Sequence, residues 1–345
     1  MEKYSQLLAG IVGSIALSSG AAQAQIAPPA TSVILPQDEA PHHNLGEWWY
    51  FVGHLTGVDP AGQQHQYGYE VTVFQTNVGT LLPANYTIHY ALTDIIRQQY
   101  HYEERATEAP IPNQVDGFSL GVTNWTASGG SGAYALNTSF ADGSYALNLN
   151  LKATVPPTLH GDKGIIPYGP LGTSAYYSYT SLATSGTIID HGVPVTITGV
   201  SWQDRQWQNV LPSGWNWFSI QLNNNVQYML YFIQDPLGNI IQKTGTEIVN
   251  GVATPIAADQ MSVKPLAFWT SPNSLYTYPS QWQVTVPDGT YTVTPVVPGQ
   301  ELVWPLHRTY FEGDSQITGT RNGQAISGAG YTEVNPFFEP IASLP

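Results

Sequence analysis

The carboxylates of this chain keep company with aromatic rings. Asp204 sits in Trp202-Gln-Asp-Arg-Gln-Trp207, and Glu47 precedes Trp48-Trp49-Tyr50. Glu70 lies in Tyr67-Gly-Tyr-Glu-Val-Thr-Val-Phe74, Glu312 follows Tyr310-Phe311, and Glu333 closes Tyr331-Thr-Glu. A carboxyl group in an apolar pocket holds its proton toward neutral pH, because desolvation disfavours the charged form. Such a group is a proton donor. An ion-paired carboxylate has a lowered pKa and serves structure instead. Asp204 stands at that fork. On a strand it shares a face with Trp202, which would wall an acid site, while Arg205 turns to the other face. A pairing of Asp204 with Arg205 or another Arg remains the structural alternative. Asp204 is the first candidate acid and Glu47 the second. Glu70, Glu312 and Glu333 are weaker candidates, since a lone carboxylate is more often solvated or capping a turn.

Strands must position these groups. Tyr67–Phe74 alternates, with Tyr67, Tyr69, Val71 and Val73 on one face and Glu70 on the other, directed to a lumen or to solvent. Tyr145–Leu151 alternates Tyr and Leu with Asn. Residues 193–200, 227–233 and 281–286 are also of strand length and pattern. Asp142-Gly143, Asp288-Gly289 and Asn322-Gly323 mark turns between such segments. Short strands at this spacing indicate an all-β sandwich or barrel. Residues 94–105 are the best candidate for a short helix. One internal echo stands out: Trp48, Tyr50, Phe51 and Leu55 match Trp215, Trp217, Phe218 and Leu222 at a single offset. A polar loop and a Tyr-rich strand follow in both, from Gln66-Tyr67 and from Gln227-Tyr228. The echo predicts two β units, residues 42–210 and 211–340. Its aromatic residues are ligand-wall candidates or structural plugs of a barrel end.

Residues 1–24 have the n-region, the apolar Leu7–Leu17 and the Ala22-Gln-Ala24 ending of a secretory signal peptide. Residues 25–41 read as an extended lead-in. The formal charge is −14, from 24 acidic and 10 basic residues. That balance disfavours nucleic acid and anionic membrane surfaces as partners. There is no cysteine, so disulfides and thiol chemistry are excluded. The nine histidines lack metal-site spacing. No Gly-x-Ser-x-Gly elbow occurs, and Ser128–Gly132 is loop rather than a phosphate cradle. A hydrophobic small molecule is the expected partner, with no metal and no stable membrane insertion.

Seven motifs occur in order: Glu-Trp-Trp-Tyr (47–50), Tyr-Tyr-Ser-Tyr (176–179), Gly-x-x-Trp-Gln-Asp-Arg-Gln-Trp (199–207), Gly-Trp-Asn-Trp-Phe (214–218), Tyr-Pro-x-x-Trp (278–282), Tyr-Phe-Glu-Gly (310–313) and Gly-x-Gly-Tyr-Thr-Glu (328–333). This set resembles the AttH-like and carotenoid 1,2-hydratase family over roughly residues 40–340. The resemblance implies two tandem lipocalin-like (calycin-type) antiparallel β-barrel domains. It also implies hydration of an isoprenoid double bond, since family members include carotenoid hydratases and secreted fungal hydratases of prenylated isoflavonoids. Such chemistry needs an acid to protonate the alkene, aromatic faces to stabilise the tertiary cation, and an acceptor for the attacking water. It needs no cofactor. The resemblance places the acid at Asp204. It places Tyr176 and Tyr177 as wall and hydrogen-bonding residues, joined as ligand contacts by Trp49, Arg205 and Tyr331. Relatives usually carry an acidic residue where this chain has Gln206, so a paired carboxylate there is lost. A noncatalytic carrier and a pericyclase are the alternatives. A carrier would have every carboxyl exposed or salt-bridged.

Overall fold

A computed structural model describes residues 26–77, 83–210, 214–235, 237–303 and 309–336. The expected signal peptide at 1–24 lies outside the described residues. The chain folds as two antiparallel sheets, each curled into a barrel or half-barrel. The first comprises β1 (Gly46–Val58), β2 (Gln64–Thr76), β3 (Ala84–Asp94), β4 (Gln99–Ala109), β5 (Phe118–Val122), β6 (Trp125–Gly130), β7 (Ala133–Ser139), β8 (Tyr145–Ala153), β9 (Thr158–Leu159), β10 (Ile165–Pro167), β11 (Thr173–Asp190) and β12 (Val193–Gln208). Its order is β4-β3-β2-β1-β12-β11-β8-β7-β6-β5, with β9 and β10 on β11. The second comprises β13 (Gly214–Leu222), β14 (Val226–Gln234), β15 (Ile240–Val249), β16 (Val252–Ile256), β17 (Ser262–Thr270), β18 (Thr277–Val286), β19 (Gly289–Pro295), β20 (Glu301–Leu302), β21 (Tyr310–Arg321) and β22 (Gln324–Asn335). Its order is β16-β15-β14-β13-β22-β21-β19-β18-β17, with β20 on β21.

Side chains alternate across each strand, so each sheet has an inner and an outer face. Inner residues such as Trp49, Phe51, Tyr67 and Trp207 fill the first lumen, and Phe218, Phe232, Trp282 and Phe311 fill the second. The outer faces of the central strands are buried as well. Tyr50, Val52, Trp202 and Tyr176 pack there against Trp217, Met229, Tyr231 and Tyr331 of the other unit. Central strands therefore run nearly continuously buried, as Ser201–Gln208 does, and apolar alternation fades there. Gly68 permits one close approach: a Cβ at this position would collide with Asp314 and the Tyr331 hydroxyl of the second unit. Asn322 and Gly323, both at positive φ, form the β21–β22 turn that their sequence predicts.

Two expectations need correction. Residues 94–105 are not helical; they form a turn followed by β4. The Asp94 carboxylate accepts from the backbone N–H and guanidinium of Arg97, and Gln98 adopts φ 57°, so the chain reverses instead of coiling. In the echo, the first strands align as expected, but the second strands slip by two residues. Tyr69 pairs with Gly53, and Tyr228 pairs with Ile220 at the matching site, because the second hairpin loop is shorter.

Candidate functional site

The two outer faces do not close everywhere. They enclose a cavity of about 370 Å³ whose lining is mostly apolar. Period-two alternation decides what enters it. Trp48 and Tyr50 project from β1, Glu70, Thr72 and Phe74 from β2, and Asp204 and Gln206 from β12. The second unit contributes Trp215 and Trp217 from β13, Tyr231 from β14, Tyr310 and Glu312 from β21, and Glu333 from β22. The site thus lies between the units, outside both lumens.

Asp204 is buried and accepts three hydrogen bonds. The Tyr176 hydroxyl donates to Oδ2 at 2.6 Å, and the Trp202 indole N–H donates to Oδ1 at 2.6 Å. The Ser178 hydroxyl also donates to Oδ1. Among the described residues no cation pairs with it. Burial pushes its pKa up to about 7, against the three hydrogen bonds, which favour the ionised form. Neighbouring groups fix the donors. The Trp217 N–H donates to the Tyr176 hydroxyl at 2.9 Å. His160 Nε2 lies 2.7 Å from Ser178 Oγ, and His160 Nδ1 lies 2.9 Å from Thr246 Oγ1. Since Ser178 donates to Asp204, His160 donates to Ser178 and accepts from Thr246. Desolvation lowers the His160 pKa to about 3, so the ring is neutral and can play both parts.

Facing Asp204 is a second acidic wall. Glu312 Oε1 accepts from the Tyr50 hydroxyl at 2.7 Å. Glu70 Oε1 accepts from Thr72 at 2.7 Å and from the Tyr310 hydroxyl at 3.1 Å. Burial, followed by the charges of Glu70 and Glu333, raises the Glu312 pKa. Burial also raises Glu70 and Glu333. Glu312 and Glu333 are direct cross-strand partners, where two like charges repel, so retaining a proton is favourable. The duplication relates the two walls. Asp204 pairs across from Tyr50, and Glu333 pairs across from the matching Trp217. Asp204 and Glu333 therefore occupy equivalent positions in the two units.

A family model described as AttH-like matches residues 26–336. The chain belongs to the AttH-like family. An AttH protein from Nitrosomonas europaea has the same fold, with 25% identity over 91% of this chain and 100% of that one, at a TM-score of 0.78. Kievitone hydratase from Nectria haematococca has 18% identity over 91% and 97% of the two chains, with a TM-score of 0.73. CghA has 11% identity over 90% and 95%, at 0.54. No curated protein matches the chain.

In this AttH-like chain the structure brings nine expected residues to one cavity: Asp204, Trp48, Tyr50, Glu70, Tyr176, Trp215, Trp217, Glu312 and Glu333. Trp202 stands behind Asp204 and holds its Oδ1. The others are corrected. Trp49 and Tyr177 alternate inward and belong to the first lumen. Arg205 also faces inward, with its guanidinium 3.9 Å from the Trp49 ring centre and hydrogen-bonded to the Ala40 carbonyl. Glu47 borders the cavity, but its carboxylate pairs with Arg205 at 3.0 Å and accepts the His42 N–H, so it is not an uncompensated acid. Tyr331 packs between the units, beside His54, without lining the cavity. Glu70 points neither into a lumen nor to solvent, because the second unit covers its face. Sequence reasoning missed Ser178, His160, Thr72, Tyr231 and Tyr310. Ser178 carried a signal, being two residues from Tyr176 on the same strand face. His160 carried none.

No helix among the described residues is long and apolar enough to cross a membrane.

Proposed function

We propose that this protein is a secreted, cofactor-independent hydratase that adds water to a prenyl or other isoprenoid carbon–carbon double bond. The observation that carries the reading is Asp204: a buried carboxyl with no cationic partner among the described residues, on an aromatic cavity. Its proton goes to the less substituted alkene carbon and leaves a tertiary cation. The faces of Trp217, Tyr50 and Tyr231 stabilise that charge. Water adds to the cation, and its surplus proton returns to the Asp204 carboxylate that the first step left ionised, so the acid is regenerated and the net change is one added water. A cofactor is not needed for any of these steps. A carboxyl that keeps its proton to near neutral pH is what general-acid catalysis requires. The fold shared with kievitone hydratase is consistent with this chemistry. A noncatalytic carrier would call for exposed or ion-paired carboxyls; of the cavity carboxyls only Glu47 is ion-paired, and Asp204 is neither.

The test is mass spectrometry of a prenylated isoflavonoid and an acyclic carotenoid precursor, incubated with wild type and with Asp204→Asn. A gain of one water with wild type, abolished in a folded variant, is expected. No gain with wild type would remove the hydratase reading. Equal gain with the variant would remove Asp204 as the acid.

A further inference from the structure

The acidic wall opposite Asp204 holds more than hydration uses. Glu70 and Glu312 are both buried cavity residues, and each leaves Oε2 without a hydrogen-bond partner. A buried carboxyl oxygen without a partner is costly, and in the ionised form it calls for a donor. Glu333 lies beside them, and Asp204 faces them. Among the described residues no Lys or Arg lines the cavity. Besides Glu47, which Arg205 neutralises, four carboxyls therefore share one cavity with no Lys or Arg among its described lining residues, and His89, which offsets Glu70, does so from outside that lining. The rest of the lining is largely aromatic, and Tyr50 and Trp217 stand edge to face at 5.3 Å between the two walls.

An occupant that answers all three features has N–H donors, a positive charge and an apolar body. A neutral alcohol or phenol supplies a donor but leaves a retained proton as the only relief of the repulsion between Glu312 and its neighbours. We infer that the cavity binds an amphiphilic amine, with its protonated nitrogen between Glu70 and Glu312 and its apolar body along Trp217 and Trp215 toward Asp204. The nitrogen donates to the two free Oε2 atoms and rests against the Tyr50 ring. The cavity volume of about 370 Å³ is in the range of small-molecule sites, which run from about 300 to 1,000 Å³. The chain's net charge of −14 attracts such a cation from solution. This inference deepens the hydratase reading by naming a ligand class for the same site, and binding can be measured without turnover.

The probes are n-octylamine, whose ammonium carries three N–H donors and which has no double bond to hydrate, and octyl methyl ether, its neutral counterpart. Binding to the full chain is followed at neutral pH by tryptophan fluorescence and calorimetry. Wild type is expected to bind the amine at least about tenfold more tightly than the ether, the scale of one charge-assisted contact with cation–π support. The double variant Glu70→Gln/Glu312→Gln loses that preference and still binds the ether, which also reports that it is folded. Equal affinity for the two probes in wild type overturns the inference, whatever the variants do. A preference that survives the double variant also overturns it. Because neither probe can be hydrated, absence of hydration activity leaves this result unaffected.

Discussion

Asp204 and Arg205 are neighbours on one strand, both buried, and they meet opposite electrostatic environments. On the inner face, Arg205 is charge-compensated: it meets the Glu47 carboxylate, the Ala40 carbonyl and the rings of Trp49 and Trp207, with its Nε left unbonded. On the outer face, Asp204 has hydrogen-bond donors but no counter-charge among the described residues. One residue step along β12 separates a neutralised ion pair from an acid that resists ionisation. On the proposed function, the inner face serves stability and the outer face serves chemistry. Catalytic roles and stability roles should therefore separate cleanly between substitutions on the two faces.

The largest expected effect is on turnover. Asp204→Asn should lower the hydration rate by about 10²–10⁴, the usual contribution of a general acid, with the fold intact by circular dichroism. Glu47→Gln should do the reverse. It leaves Arg205 buried and unpaired, a loss of about 3–5 kcal/mol in urea unfolding, while the rate per folded molecule changes little. If Glu47→Gln instead abolishes turnover without loss of stability, the division between the faces is wrong.

Proton linkage gives the next effect. Asp204 titrates near 7 when folded, against an ordinary value of 3.8. Between those values the folded chain holds a proton that the unfolded chain has released. Stability contributed by this proton is present below about pH 4, declines as pH rises, and is gone above about pH 7. Asp204→Asn removes the dependence. The variant should match wild type near pH 4 and exceed it above pH 7, by at most ~4 kcal/mol. A constant difference across pH would contradict the raised pKa of Asp204.

Tyr176→Phe is the smallest change. It removes one donor to ionised Asp204, so the acidity of Asp204 should weaken further. The limb of the pH–rate profile on which activity falls with rising pH should move upward by about one unit, the scale of one hydrogen bond to a charged group. A merely structural role for Tyr176 would lower the rate without moving that limb.

The strand pattern was plain in the sequence because alternation at Tyr67–Phe74 and Tyr145–Leu151 reflects packing on one face, and Asn322-Gly323 meets the dihedral demands of its turn. The echo of Trp48 and Tyr50 in Trp215 and Trp217 was also visible, since all four project to the same place. Alternation tells which side chains share a face, yet it does not say which face is the lumen. That is why Trp49, Tyr177 and Arg205 read as ligand contacts although they fill the first lumen. The Asp94–Arg97 turn looked helical because its decisive bonds join a side chain to nearby backbone and leave no periodic trace. The second acidic wall depends on contacts between residues far apart in the chain, such as Tyr50 with Glu312 and Tyr310 with Glu70. Nothing local to those residues marks the pairings.

The most direct test of the account is the protonation state of Asp204 itself. Infrared difference spectroscopy across a pH titration, comparing wild type with Asp204→Asn, isolates its carboxyl band from those of the other buried acids. A protonated carboxyl band in wild type that disappears near pH 7, and is missing in the variant, is the predicted result. Spectra of the two proteins that differ only by an ionised carboxylate, present at every pH above about 5, would show an ordinary ionised Asp. The assignment of Asp204 as the proton donor would then fail.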